Sequence, residues 1–169
     1  QWFKEHGYKV LDLPKSHMFE GAGDAKLYRQ TLFAGFHFRS HVRAHVTIGQ
    51  FLHRRVISLE LVDRKFYHLD TCLAPLGDSL VMYYPPAFAS YSQRAIRHHI
   101  ADLLPIAGED ALSFACNCVL VENNIILNRA SPSLRAELAD RGFVVYEVDL
   151  SQFMKAGGSA GCLTLILEQ

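Results

Sequence analysis

Lys155-Ala156-Gly157-Gly158-Ser159-Ala160-Gly161-Cys162-Leu163-Thr164-Leu165 is the stretch from which the rest of the chain is read. Three glycines and the small pair Ser159-Ala160 lead to a cysteine, and an apolar run with strand character follows. Glycine opens backbone angles closed to other residues and lets another group come close to the main chain. A cysteine where such a loop meets a strand is accessible to a ligand. Equally, it is a small apolar side chain at a strand start, since free cysteines are commonly buried and inert. Residues upstream bear on the choice.

The chain has 169 residues, 50% of them hydrophobic and 20% charged, enough for one domain with a sizeable core. Seventeen basic residues balance seventeen acidic ones. That balance argues against a domain built to coat nucleic acid or an acidic membrane surface. Arg54-Arg55 and His98-His99 are short basic spots suited to a solvated surface. Cys72, Cys116, Cys118 and Cys162 form no Cys-x-x-Cys pair, and no apolar run is long enough for a bilayer. Free thiols in a reducing, cytoplasmic setting are the expectation. The chain opens on Gln1-Trp2-Phe3, which leads us to expect sequence before it.

Alternation predicts a short strand over Lys9–Leu13, closed by Pro14. Phe19 to Ala25 is a glycine-containing turn that delivers Asp24. Lys26–Tyr28 and Thr31–Ala34 read as paired strands around Arg29-Gln30. Ser40 is placed to cap a helix over His41–His53, with Val42, Val46 and Leu52 inward and Gly49 weakening it. Val56–Leu61, Tyr67–Leu76 and Ser79–Tyr84 read as strands, and Ser92–Leu104 as a helix with Ile96, Ile100 and Leu103 on one face. Ala111–Val121 and Ile125–Leu127 read as strands around Glu122-Asn123-Asn124. Ser131 caps the clearest helix, with Pro132 at its first position, Leu134 and Leu138 inward and Gly142 at its end. Phe143–Val148 and Leu163–Leu167 complete the strands. Strand, strand, helix, strand therefore recurs about three times, which suggests an α/β array closing around an axis.

Phe66-Tyr67-His68-Leu69-Asp70-Thr71-Cys72 is the second informative stretch. As a strand, its period of two puts His68, Asp70 and Cys72 on one face. His beside Asp offers a proton shuttle and an anion for a cation, or else a structural hydrogen-bonded pair. Asp24 is a turn residue or an anion aimed at a ligand. His41 and His45 have a spacing that metal sites use, but with no evident third ligand they read as a solvated helix face. Cys116 and Cys118 read as one face of a packed strand.

Taken in order, Glu20-Gly21-Ala22-Gly23-Asp24, His68-Leu69-Asp70 and Gly157-Gly158 followed by Cys162 resemble the guanidino-group-modifying superfamily. Its members include arginine deiminases, dimethylarginine dimethylaminohydrolases and amidinotransferases. The matches are to that family's Glu-Gly-Gly-Asp turn, its His-Leu/Ile-Asp strand and its C-terminal nucleophile loop, in which Ser159 replaces the commoner third glycine. The resemblance implies an α/β propeller of pentein type, built from five ββαβ modules around an axial site. It further implies that residues 1–169 are a single C-terminal portion holding roughly three of them. Preceding modules, or another copy, are then expected to complete the ring.

For the site, the resemblance implies that Cys162, His68 and Asp24 serve catalysis and that Asp70, Arg39 and Glu20 serve substrate binding. Asp24 and Asp70 would hold a planar guanidinium. Cys162 would attack its central carbon, and His68 would act first as acid and then as base. No cofactor or metal is implied, and no nucleic-acid or membrane partner. Asn117, in Ala115-Cys116-Asn117-Cys118, reads as a structural brace at a blade edge. Hydrolysis to a citrulline-type product is favoured, with amidino transfer and a catalytically silent binding propeller as alternatives.

Overall fold

The computed structural model describes residues 1–167. After a short helix α1 (Trp2–Glu5), the chain makes β1 (Ala25–Tyr28), β2 (Thr31–Phe36), α2 (Val42–Leu52) and β3 (Arg55–Glu60). The second round is β4 (Leu73–Leu76), β5 (Leu80–Tyr83), α3 (Ser90–His99) and β6 (Leu103–Pro105). A short helix α4 (Gly108–Leu112) leads into β7 (Val119–Val121), β8 (Asn124–Leu127), α5 (Pro132–Asp140) and β9 (Val144–Glu147), and α6 (Ser151–Met154) follows. Each round is a three-stranded sheet in sequence order. Its first two strands form an antiparallel hairpin, and a helical crossover brings the third parallel to the second. The expected three ββαβ modules of an α/β propeller are therefore present.

Tight connections set this pattern. Arg29 (φ 52°) and Glu122 (φ 57°) take left-handed conformations in two of the hairpin turns, and Gly77 (φ 70°) does so in the third. Ser131 Oγ accepts from the Leu134 N–H at 3.2 Å, and Leu134 and Leu138 are buried as their spacing predicts. The first strands of the three modules share a cavity of about 360 Å³, lined in part by Lys26, Ala74 and Val119. One core joins the modules, and every residue of β5 is buried in it.

Short 3₁₀ turns precede the first two modules at Gly21–Gly23 and Leu69–Thr71, and a third lies at Gly161–Leu163. They account for two departures from the sequence reading. Tyr67–Leu76 is not one strand: the chain turns through Leu69–Thr71, and only Leu73–Leu76 is extended, so His68, Asp70 and Cys72 do not share a strand face. Leu163–Leu167 forms no strand, because Thr164 to Leu167 meets no ladder partner among the described residues. Lys9–Leu13 is irregular for the same reason. Ala111–Val121 splits into the end of α4, a turn through Phe114 (φ 55°) and β7, so Cys116 and Cys118 precede a strand rather than lie on one.

Helices differ where packing overrides hydrophobicity. α3 stops at His99, since Ile100 is extended and Leu103-Leu104 pairs in parallel with Val81-Met82. In α2 the buried residues are Ala44, His45 and Ile48, while Val42, Val46 and Leu52 face outward. A Cβ on Gly49 would lie 2.9 Å from Val56, so glycine is what lets the helix lie this close to β3 here. His45 is no solvated residue: its ring nitrogens lie 2.8 Å from Ser58 Oγ and 3.2 Å from the Gly35 carbonyl. The cap of α2 is His41, whose Nδ1 accepts from the Arg43 N–H, rather than Ser40.

Candidate active site

Cys162 is carried by a loop that folds back on itself. Gly157 has φ +87°, and a Cβ there would meet Tyr67 Oη at 2.9 Å. The Tyr67 hydroxyl donates to the Gly157 carbonyl at 2.8 Å. A Cβ on Gly158 would lie 2.9 Å from Cys162 Cβ, so both glycines are required by close approach. From the other side, Asn117 Oδ1 accepts the N–H groups of Ser159 (3.0 Å) and Cys162 (3.1 Å).

Loop closure sets Cys162 Sγ 4.0 Å from Asp70 Oδ2. Asp70 is buried, and its Oδ1 has no hydrogen-bond partner among the described residues. Burial raises its carboxyl above the usual range, against the pull of the Lys26 and His68 charges. Burial, followed by the Asp70 charge, also pushes the Cys162 thiol up. Together the two groups leave an orphaned carboxylate oxygen and a thiol reluctant to ionise. A cation between them relieves both conditions.

His68 Nε2 lies 2.8 Å from Glu20 Oε2, and the other oxygen of Glu20 accepts from Arg39 Nε at 3.1 Å. Arg39 holds the Glu20 carboxyl below its ordinary value. The Arg39 guanidinium lies over the Tyr67 ring, 5.7 Å from its centroid. A Cβ on Gly23 would approach the His68 ring to 3.1 Å, so the Gly21–Gly23 turn makes room for the imidazole.

Asp24 stands differently from its sequence reading. Its Oδ2 accepts from Ser40 Oγ at 2.5 Å and its Oδ1 accepts from the Leu69 N–H at 3.0 Å. The residue is 1% exposed. Its carboxylate thus ties the first entry turn to the second, and neither oxygen is presented to a ligand. Arg39 is exposed but engaged with Glu20, and Glu20 faces His68.

Asp70 and Cys162 meet directly, and His68, held by Glu20, stands at the start of the same Leu69–Thr71 turn that carries Asp70. Cys72 and Cys116 are fully buried, which raises both thiols well above the ordinary value, and Cys118 is pushed up to about 11. Among the described residues no group of three His, Cys, Asp or Glu side chains is arranged to hold a metal ion. The contacts of Asn117 and Tyr67 with the nucleophile loop are what sequence reasoning missed. The available signal was Asn117's position just before β7, where the first two modules carry their own entry turns.

No family model matches the chain. AgrE of Nostoc sp., a bifunctional arginine dihydrolase/ornithine cyclodeaminase, is 48% identical over 169 residues, covering 98% of this chain and 24% of that protein. The N(G),N(G)-dimethylarginine dimethylaminohydrolase of Mycobacterium tuberculosis is 40% identical over 164 residues, 97% of this chain and 54% of that protein. The chain spans about half the length of these relatives or less. Among solved structures, the N-terminal domain of ArgZ matches with a TM-score of 0.94 at 46% identity, over 97% of this chain and 62% of that one. That domain is an arginine dihydrolase from cyanobacteria, solved as a cysteine-to-serine variant bound to substrate.

Proposed function

Because the chain belongs to the guanidino-group-modifying superfamily, we propose that it carries the nucleophile and acid–base machinery of an amidine hydrolase acting on arginine or a methylated arginine. The single observation that carries this reading is the 4.0 Å approach of Cys162 Sγ to Asp70 Oδ2 beside an unpartnered, buried Asp70 Oδ1. A guanidinium offers paired N–H donors and a positive charge, which suits that carboxylate and favours the neighbouring thiolate.

The chemistry follows from the groups present. Cys162 gives up its proton to His68, and Sγ forms a bond to the guanidino carbon. His68, oriented by Glu20, protonates the departing ammonia or amine as the carbon–nitrogen bond breaks, leaving a thiouronium on Cys162. His68 then takes a proton from water, whose oxygen bonds the same carbon. The carbon–sulfur bond breaks, the thiol is regained and a ureido, citrulline-type product leaves. Asp24 supports this by holding the Leu69 N–H between His68 and Asp70. Hydrolysis is favoured over amidino transfer because the similar proteins are named as hydrolases and dihydrolases.

The rest of the reading concerns the whole protein. Leu27, Val121, Val144 and Tyr146 leave apolar surface exposed at the first and third modules. Further modules, or another copy of the chain, complete the ring over such surface, in keeping with the greater length of the relatives. Residues 1–169 act as one C-terminal portion of that ring. No helix of the described residues is long and apolar enough to cross a membrane. The four free thiols suit a cytoplasmic, reducing compartment.

The test incubates the full-length protein with arginine, monomethylarginine and dimethylarginine and measures ammonia or amine release together with the ureido product. Release from at least one of them supports the reading. No turnover of any, or turnover only in the presence of an acceptor amine, overturns hydrolysis.

A further inference from the structure

We propose that Asn117 is a positioning residue for this reaction, holding Cys162 and Asp70 in one fixed relation through the two ends of its carboxamide. This deepens the reading above and rests on it. Asn117 is 1% exposed and sits just before β7, at the start of the third module.

Its two ends do different work. The N–H groups of Ser159 and Cys162 converge on one side-chain atom, which identifies that atom as the oxygen, because a nitrogen there would meet two donors. The amide nitrogen then faces the carbonyl of Asp70 at 3.4 Å, on the same residue whose carboxylate meets Sγ. The main-chain carbonyl of Asn117 accepts from the Gly161 N–H at 2.9 Å. A Cβ on Gly161 would lie 3.1 Å from Asn117 Nδ2, so the loop closes directly over the amide. The residue therefore bonds both chain segments that define the thiol–carboxylate pair. Asn supplies donor and acceptor on one short planar group. Asp keeps the acceptor and loses the donor; Ala loses both. Besides these contacts, Ser159 and Asn117 act on the thiol itself in the direction of ionisation, against the upward push of burial and Asp70.

The role is separable from folding. A brace alone would change melting temperature and leave the thiol and the chemical step of the folded protein unchanged. A positioning residue changes the chemical step, because a misplacement of about 1 Å costs on the order of 10²-fold in rate. Substrate binding through Asp70 itself is largely kept.

The experiment uses N117A and N117D in the full-length protein. It reads melting temperature, kcat and KM on the best guanidino substrate, and the pH dependence of iodoacetamide alkylation at Cys162, followed by peptide mass. For N117A we expect kcat to fall about 10²-fold with KM within about threefold, and the alkylation midpoint to move to higher pH. If N117A does not fold, N117D decides, since its carboxylate still accepts both loop N–H groups. Its added charge beside Asp70 should raise the alkylation midpoint by about one pH unit and lower kcat, with partial recovery at higher pH. A folded variant of either kind with the wild-type midpoint and kcat within about twofold overturns the proposal. If the wild type turns over no guanidino compound, the functional reading fails, and the alkylation profiles still decide whether Asn117 governs the thiol.

Discussion

Cys162 Sγ and Asp70 Oδ2 are 4.0 Å apart, and burial raises the pKa of both groups. The pair is unfavourable to itself when both members ionise, and a bound cation removes the conflict. Both burial and the Asp70 charge favour the protonated thiol at rest. The cation that needs attack is also the one that lowers the barrier to ionisation.

Replacing Asp70 with Asn should therefore separate reactivity from turnover. Without the neighbouring anion the Cys162 thiol ionises more readily, so alkylation by iodoacetamide should accelerate at pH values below the wild-type midpoint. Turnover of guanidino compounds should fall by about 10²-fold or more, since charge-assisted contacts to the substrate are lost. Alkylation unchanged from wild type would mean that the carboxylate does not govern the thiol.

The same variant should gain stability at neutral pH. A carboxyl whose folded pKa lies above its unfolded value gives stability that is full below the unfolded value, near 3.8, and is lost as pH rises through the folded one. The carboxamide that replaces Asp70 in D70N cannot ionise, so the variant escapes that loss. Denaturant unfolding at pH 7 should show D70N more stable than wild type, with the gap closing as pH falls toward 3.8. A less stable D70N at pH 7 would contradict the burial argument.

Asp24 and Asp70 look alike in sequence and differ in work. Asp24 spends both oxygens on Ser40 and Leu69. Asp24→Ala should cost about 2–3 kcal/mol of stability, from two donors left without an acceptor. Asp24→Asn should be milder and leave KM within about threefold. A tenfold rise in KM for Asp24→Asn at unchanged melting temperature would return Asp24 to the substrate.

Gly157 and Tyr67 should behave as a coupled pair. Gly157→Ala places a Cβ 2.9 Å from Tyr67 Oη at a left-handed residue and should cost about 1–2 kcal/mol together with much of the activity. Removing the hydroxyl by Tyr67→Phe should cost about 1 kcal/mol alone through the lost bond to the Gly157 carbonyl. It should also soften the effect of Gly157→Ala. Strict additivity in the double-mutant cycle would show that the two do not meet.

Module order was legible because its signals are local: hairpin turns at Arg29-Gln30 and Glu122-Asn123, and the Ser131-Pro132 helix start. The entry turn at Gly21–Gly23 was legible from its glycines, but the one at Leu69–Thr71 was not, because it runs without a compositional break into the strand that follows. The buried face of α2 was hidden too. It is built from Ala44, His45 and the approach at Gly49, and not from its valines. In the site, Cys162, His68 and Asp70 stood out by motif. The inward engagement of Asp24 depends on Ser40 and Leu69, and the work of Asn117 on main-chain groups more than forty residues away, which no local pattern records.

The choice of thiol is the most direct test of the functional reading. Cys162 is the exposed cysteine, while Cys72 and Cys116 are buried and Cys118 half-buried. Cys72 Sγ points at the Leu69 carbonyl, 3.5 Å away, and burial holds its proton firmly. Cys162→Ser keeps the shape and exchanges the thiol for a far less acidic hydroxyl, so turnover should drop to background while binding through Asp70 persists. Replacing His68 with Ala should also stop turnover, because the imidazole serves both departure of the amine and breakdown of the thiouronium. Intact-protein mass after mixing with substrate separates the two: a block at breakdown leaves an adduct on Cys162, and a block at amine departure leaves none. Glu20→Gln should lower kcat about 10–10²-fold by loosening the imidazole. Cys72→Ser should leave kcat within about threefold and lower stability by roughly 1–2 kcal/mol, the penalty of a hydroxyl in an apolar site. A Cys162→Ser enzyme that turns over normally, beside a folded Cys72→Ser protein that is dead, would assign the chemistry to the other sulfur and remove the basis of the proposed function.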